Sequence, residues 1–86
     1  MITLYTKDHC PFCQHAKIWL DKAGIKFEEK NITKSQELRT WLKEQGHKTV
    51  PQLYVNDSLL VEGGYQGLAK LDENTVKQRI EELNAN

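Results

Sequence analysis

The sequence predicts an α/β domain built on a four-stranded mixed sheet with helices on both faces. A strand-like run, a helical segment and a second strand-like run open the chain, and this order predicts a parallel pair with a right-handed crossover. A later pair of strand-like runs joined by a short polar turn predicts an antiparallel hairpin. With 86 residues, the chain has the length of one domain, residues 1–86.

The first β-α-β unit follows from the residue pattern. The alternating run 2–6, rich in β-branched and aromatic residues, predicts the first strand. The next helix is predicted from Phe12 or Cys13 to Ala23, with Gly24 as its C-cap. Its apolar residues fall at helical spacing: Ala16, Trp19, Leu20 and Ala23. A polar alternation then predicts a strand at 26–31.

The second helix and the hairpin follow. Thr33 and Ser35 are candidate N-caps for a helix that carries Leu38, Trp41 and Leu42 and ends at Gly46. Pro51 marks a break between this helix and the next strand. Residues 52–55 then predict a strand, 56–58 a turn, and 59–62 the returning strand.

Two helical segments close the chain. A short helix is predicted over 65–71, after Gly63-Gly64 ends the hairpin. Asp72 or Asn74 caps a last helix over 75–83, whose inward-facing residues are predicted to be Val76, Ile80 and Leu83. With the short helix left uncounted, the predicted order is β-α-β-α-β-β-α.

Composition excludes several function classes. The formal net charge is zero, so no bulk field attracts nucleic acid or an anionic membrane. No apolar stretch approaches the ~20 residues that span a bilayer, and no signal peptide is apparent. We therefore expect a cytoplasmic monomer that binds neither nucleic acid nor membrane. In that setting a Cys-x-x-Cys pair is catalytic or metal-binding more often than a stable bridge.

The only two cysteines form the motif Cys10-Pro11-Phe12-Cys13, where a strand passes into a helix. Unpaired N–H groups and the helix dipole favour an anion at Cys10, so the pKa of its thiol is expected to fall. Lys7 adds a positive charge upstream, and Pro11 suits the first helical position. These features predict dithiol–disulfide chemistry.

The two thiols are predicted to have different roles. Cys13 lies one turn inside the helix and is expected to be less accessible than Cys10. Cys10 would attack a disulfide, and Cys13 would then displace the product and close the intramolecular bond. Phe12 is expected beside the site, either as ordinary helix packing or as an apolar wall against the substrate.

Two further motifs leave alternatives open. The Val50-Pro51 bond is either cis or an ordinary trans loop bond. A cis bond would turn the backbone of Val50 outwards, where it can pair with an extended peptide. Gly63-Gly64 marks either a tight turn or a close approach of backbone to a ligand.

Together these motifs resemble the glutaredoxin family. The matching features are Tyr5-Thr6-Lys7, Cys10-Pro11-Phe12-Cys13, Thr49-Val50-Pro51-Gln52 and Gly63-Gly64. The resemblance implies a thioredoxin-like fold, glutathione as reductant, and reduction of protein disulfides and glutathione mixed disulfides. It also implies that Val50, beside a cis Pro51, pairs with the cysteinyl part of glutathione. Lys7 would meet the glycine carboxylate, and the residues after Gly64 would hold the γ-glutamyl end.

The predicted site follows from the motifs and the resemblance together. The catalytic residues are Cys10 and Cys13. The residues expected to bind glutathione are Lys7, Phe12, Thr49, Val50, Pro51, Gly64, Tyr65 and Gln66. No metal is expected. The partners are glutathione and protein disulfides.

The stretch after Gly64 departs from the family pattern. Glutaredoxins often carry one or two aspartates there, whereas this chain has Tyr65-Gln66-Gly67 and no acid before Asp72. Gln66 and backbone N–H groups remain available. Because charge-assisted hydrogen bonds are the stronger ones, glutathione is expected to bind more weakly than in a typical member. Arg39, next to Leu38, is a candidate substitute for the polar residue that the family often has at Leu38.

The sequence also allows two alternative functions. One is a glutaredoxin-like hydrogen donor reduced by a thioredoxin reductase, for instance one that serves ribonucleotide reductase. The other is a module that binds an iron–sulfur cluster or a metal, because His9 and His15 flank the cysteines. A structural zinc site, however, needs four ligands, usually in two separated pairs.

Overall fold

The computed structural model describes residues 1–85 and arranges them as a mixed sheet covered by helices. The elements in chain order are β1 (Ile2–Thr6), α1 (Pro11–Lys22), β2 (Phe27–Asn31), α2 (Gln36–Glu44), β3 (Gln52–Val55), β4 (Ser58–Leu59), α3 (Gly64–Ala69) and α4 (Glu73–Asn84). The strand order is β2-β1-β3-β4. β1 is parallel to β2, whereas β3 is antiparallel to both β1 and β4. The predicted four-stranded mixed sheet is confirmed.

Alternation along the strands sends apolar side chains to both faces of the sheet. Ile2 and Leu4 of β1 and Leu53 and Val55 of β3 pack on the face that α1, α3 and α4 cover. The residues that these helices and the segment after β4 add to this core are Ala16, Leu20, Leu60, Val61, Leu68 and Val76. Ile80 and Leu83 pack at its margin, which confirms the inward face predicted for the last helix.

The opposite face of the sheet is covered by α2. Tyr5, Leu42 and Tyr54 form the buried part of this second core. The ring of Trp41 stacks on Tyr5 with centroids 5.4 Å apart and meets the edge of Tyr54 at 5.1 Å. The helices therefore lie on both faces, as predicted.

A polar network ties α1 to the strands at the buried Thr6. The Thr6 hydroxyl donates to the Glu29 carboxylate at 2.6 Å, and the Lys17 ammonium lies 2.8 Å from the same oxygen. Burial on its own would raise the pKa of Glu29 and is the largest single influence. The hydrogen bonds from Lys17 and Thr6 and the charge of Lys17 together outweigh it and lower the pKa.

Helix boundaries differ slightly from those predicted. α1 begins at Pro11, before the predicted Phe12 or Cys13, because a proline ring already has the helical φ and lacks only an N–H that has no helical partner. Ser35, rather than Thr33, caps α2. Asp72 caps α4, which therefore starts at Glu73 instead of residue 75.

The returning strand of the hairpin is present, but it is shorter than the predicted residues 59–62. β4 comprises only Ser58–Leu59, and the turn before it is shortened to Asn56 and Asp57, with Asn56 at a φ of 56°. Leu60 and Val61 are both buried, at 3% exposure each. Two consecutive buried side chains break the alternation of an edge strand. The Leu60 N–H still donates to the Leu53 carbonyl oxygen at 2.9 Å, and beyond it the chain leaves the sheet.

Candidate active site

The cysteine pair lies at the N-terminus of α1. Cys10 is the N-cap, with an extended backbone, and its Sγ accepts a hydrogen bond from the Cys13 N–H at 3.2 Å. Pro11 occupies the first turn. The two Sγ atoms are joined in a disulfide, with the Cα atoms 5.2 Å apart. A sulfur at this position faces free helix N–H groups, which interact more favourably with a thiolate than with a thiol.

The two cysteine residues differ in exposure. Cys10 is 8% exposed and Cys13 is 1% exposed. A substrate that approaches from solvent therefore reaches Cys10 first. This ordering agrees with the expectation drawn from the helix position.

The loop between β1 and Cys10 is anchored to the last residue of β2 and to Thr33 just beyond it. The Asp8 N–H donates to the Thr33 hydroxyl at 2.8 Å, and the Asn31 amide donates to the Asp8 carboxylate at 2.9 Å. His9 adopts a φ of 56° in the turn directly before Cys10. These contacts hold the loop that carries Lys7, and no sequence motif had indicated them.

The Val50-Pro51 bond is cis, which decides between the two alternatives left open by the sequence. The Val50 carbonyl oxygen lies 3.9 Å from Cys10 Sγ. The chain directly before β3 thus lies against the disulfide.

Gly64 fits its position for two reasons. Its φ is +58°, a region that residues with a side chain rarely adopt. A Cβ at this position would lie 2.6 Å from the Pro51 carbonyl oxygen. The glycine thus allows α3 to approach the cis-proline backbone closely, which goes beyond the tight turn that the sequence also allowed.

These segments enclose a cleft of about 190 Å³ beside the disulfide. Every predicted glutathione-binding residue except Lys7 lines this cleft. The lining residues are Phe12, Thr49, Val50, Pro51, Gly63, Gly64, Tyr65 and Gln66. The structure therefore brings together residues that lie as far apart in sequence as 12 and 66.

Lys7 lies instead in a neighbouring cavity of about 190 Å³. Thr49 and Val50 line both cavities, so the two adjoin along this segment. Arg39 also lines the second cavity, and its guanidinium donates to the carbonyl oxygens of Ile32 and Thr33 at 2.8 and 2.6 Å. Leu38 packs against the second core.

The aromatic rings of Phe12, His15 and Tyr65 lie close together beside the cleft. Phe12 is 51% exposed, and its ring lies nearly parallel to that of Tyr65, with centroids 6.2 Å apart. His15, which the sequence had suggested only as a candidate metal or cluster ligand, lies 5.3 Å from Tyr65 by ring centroids. Its position three residues after Phe12 on α1 is the signal that places both rings on one helix face.

Neither a metal cluster nor a membrane span is found among residues 1–85. No three histidine, cysteine or acidic side chains in this range converge to hold a metal ion. The helices of the same range are too short or too polar to cross a bilayer.

A family model and curated relatives identify the glutaredoxin family. A glutaredoxin family model matches residues 2–60. Glutaredoxin 3 from Escherichia coli (strain K12) is 35% identical over 75 residues, which cover 83% of this chain and 84% of that protein. The crystal structure of glutaredoxin 1 from Francisella tularensis, complexed with cacodylate, has a TM-score of 0.71 at 25% identity and covers 88% of this chain and 95% of that one.

A structure with lower sequence identity shares the fold. The buckwheat glutaredoxin–glutathione complex has a TM-score of 0.75 at 18% identity, with 98% of this chain and 79% of that chain covered. The predicted thioredoxin-like fold is confirmed by these neighbours.

Proposed function

The chain belongs to the glutaredoxin family and is a thiol-disulfide oxidoreductase, and on this premise we propose that it uses glutathione to reduce protein disulfides and glutathione mixed disulfides. Cytoplasmic location is part of the proposal, because a reducing compartment returns the Cys10–Cys13 pair to the dithiol. No metal takes part in the proposed reaction.

Cys10 is the proposed nucleophile. Its thiolate attacks one sulfur of the substrate disulfide, the substrate S–S bond breaks, and the other substrate sulfur leaves as a thiolate that takes up a proton. Cys13, as a thiolate, then attacks Cys10 Sγ and releases the second substrate sulfur. Two electrons have passed to the substrate, and the protein holds the Cys10–Cys13 disulfide.

Two glutathione molecules complete the cycle. The thiolate of the first attacks Cys10 Sγ, the Cys10–Cys13 bond breaks, Cys13 leaves as a thiolate that takes up a proton, and a mixed disulfide remains on Cys10. The second attacks the glutathione sulfur of that mixed disulfide, which yields oxidised glutathione and a free Cys10. Cys10 is proposed as the site of both steps because it is the more exposed of the two cysteines.

The observation that carries the glutathione proposal is the position of the cleft at Val50. The Val50 carbonyl lies 3.9 Å from Cys10 Sγ, and the same residue lines the cleft. A tripeptide bonded to Cys10 through sulfur can therefore pair its backbone with Val50 as one more strand would. Lys7 would meet its glycine carboxylate, while Tyr65 and Gln66 would hold its γ-glutamyl end.

The end of the cleft at α3 favours a second candidate, a hydrogen donor reduced by a thioredoxin reductase. Tyr65-Gln66-Gly67 offers no carboxylate for the α-amino group of glutathione. A Cβ on Gly67 would overlap the Glu62 carbonyl oxygen, so an aspartate at this position would require the backbone to move. The local packing thus accounts for the missing charge at Gly67 alone, and the absence of a carboxylate from the whole stretch disfavours tight glutathione binding.

A coupled assay separates the two candidates. The protein is supplied with NADPH and either glutathione plus glutathione reductase, or a thioredoxin reductase alone. We expect sustained turnover of a glutathione mixed disulfide only with the glutathione system. Turnover sustained by thioredoxin reductase alone would establish the second candidate instead.

The Cys13→Ser variant provides the matched control for the glutathione pathway. It should still turn over glutathione mixed disulfides, because glutathione can resolve the intermediate, but it should lose reduction of protein disulfides. Cys10→Ser should lose both activities. The iron–sulfur alternative predicts visible absorption bands and a brown colour in the purified protein, and we expect neither.

A further inference from the structure

The cavity that contains Lys7 is a strongly basic surface, here termed the basic groove. Its charged and titratable lining residues are Lys7, Arg39, Lys43, His47 and Lys48. Its remaining lining residues, Ile32, Leu42, Thr49 and Val50, are apolar apart from Thr49. No carboxylate lines it among the residues that the structure describes. The groove thus combines apolar residues with several cations.

This concentration of charge is local. The whole chain has 12 basic and 12 acidic residues, so four of the 12 lysines and arginines line one small groove. Within residues 1–85, the ion pairs formed are Lys17–Glu29 and Lys30–Glu28, and neither involves a groove residue. The groove cations are therefore available to an acidic partner.

Two of the groove side chains are fixed in place. The Arg39 guanidinium donates to the carbonyl oxygens of Ile32 and Thr33, and these neutral acceptors leave its positive charge uncompensated. His47 Nε2 lies 2.5 Å from the Tyr54 hydroxyl. Burial raises the pKa of Tyr54, so this hydroxyl stays protonated at neutral pH. Preorganised side chains lose less conformational entropy when a partner binds.

The groove adjoins the reactive disulfide. Val50 lines it, and the Val50 carbonyl oxygen lies 3.9 Å from Cys10 Sγ. An extended segment whose cysteine is bonded to Cys10 therefore continues over Val50 into the groove on one side. Lys43, His47 and Lys48 are outside the set of residues proposed to bind glutathione, which leaves them for a longer chain.

We propose that the basic groove selects protein disulfides whose cysteine is flanked by acidic residues, with an extended acidic segment of the substrate as its occupant. This inference rests on the proposed disulfide reductase function and names its substrate class. Complementary charge acts mainly on the association rate and on the choice of partner. The preference should therefore appear in the rate of encounter and weaken with salt.

The test uses disulfide-linked peptide homodimers that differ only in the two residues flanking the cysteine on one side, Glu-Glu or Lys-Lys, with each side tested in turn. The protein is reduced with dithiothreitol, freed of reductant, and mixed with each peptide in a single-turnover experiment that follows peptide thiol release. Because no glutathione is present, the peptide preference is measured independently of the physiological reductant. Loss of all peptide reduction would instead count against the proposed function.

We expect the acidic peptide to react at least about fivefold faster than the basic one at low salt, as for a few exposed charge pairs. The ratio should fall towards one as ionic strength rises from about 0.01 to about 1 M, which shortens the Debye length from about 30 to about 3 Å. Equal rates for the two peptides on both sides would overturn the proposal.

Charge variants test whether the groove lysines cause the preference for acidic peptides. Lys43→Glu with Lys48→Glu should reverse it, and Lys43→Gln with Lys48→Gln should abolish it without adding repulsion. The matched control is Lys26→Glu with Lys77→Glu, because Lys26 precedes β2 at the far end of the sheet and Lys77 lies on α4, on the other face. If the control pair changes the preference as much as the groove pairs do, the groove is not the selecting surface.

Discussion

Cys10 combines two features that favour its thiolate: it is the N-cap of α1, and its Sγ accepts the Cys13 N–H at 3.2 Å. We expect the pKa of the reduced Cys10 thiol to lie clearly below the ~8.5 of a free cysteine. Thiolate absorbance of the Cys13→Ser variant measures this pKa without interference from a second thiol. The same variant unfolded in denaturant should return to the ordinary value. An ordinary pKa in the folded variant would contradict the proposed activation.

Gly64 offers a second test at the residue scale. Gly64→Ala combines a positive φ with an overlap between the new Cβ and the Pro51 carbonyl oxygen, whereas Gly24→Ala has a positive φ of 70° and nothing within 4 Å. We expect Gly24→Ala to cost about 1–2 kcal/mol of unfolding free energy. Gly64→Ala should cost more than this and should also slow glutathione-dependent turnover. Urea unfolding measures both variants, and equal losses would show that the close approach is unimportant.

Asp72 decides where α4 begins and makes that helix sensitive to acid. Its carboxylate accepts the Thr75 N–H at 2.7 Å. This backbone hydrogen bond, with a side-chain hydrogen bond from Thr75, lowers the pKa of Asp72 from 3.8. A lowered folded pKa means that the stabilisation is complete above the unfolded value and is lost as the pH falls through the folded value.

The Asp72→Asn variant tests this sign. Asparagine is as good an N-cap as aspartate but does not titrate. We therefore expect similar stability to the parent protein at neutral pH, and a smaller loss than the parent shows when the pH falls below about 4, near the ordinary aspartate value. Urea unfolding across this range provides the measurement. Parallel pH profiles for the two proteins would rule out a contribution from the Asp72 charge.

At the scale of single helices and strands, local sequence patterns predict some boundaries and miss others. Helical spacing and caps predicted α1, α2 and α4 to within a few residues, because capping and amphipathicity depend on neighbours three or four positions away. β4 was predicted too long, because apolar residues such as Leu60 and Val61 occur both in strands and in core-packing segments. Whether they continue a strand or enter a core depends on the space that α3 and α4 leave.

At the scale of the whole molecule, the two edges of the sheet bear on oligomeric state. β2 is an edge strand with exposed Glu28, Glu29 and Lys30, and β4 at the other edge has only two residues. Charged or very short edge strands disfavour pairing with another chain. We therefore predict a monomer of 10.0 kDa in sedimentation velocity over a wide concentration range. A concentration-dependent dimer would contradict this prediction.

The sequence by itself determined the order of the elements, the cysteine pair at the start of α1 and the resemblance that implied the site, because each depends on short-range spacing or a recognisable motif. Only the tertiary structure decided the contacts among these parts: Val50 beside Cys10, Gly64 against Pro51, and Lys7 in a groove with Lys43 and Lys48. These residues are far apart in the chain. The pairing of β1 with β3 and the packing of the helices on the sheet bring them together, and no local propensity encodes such distances.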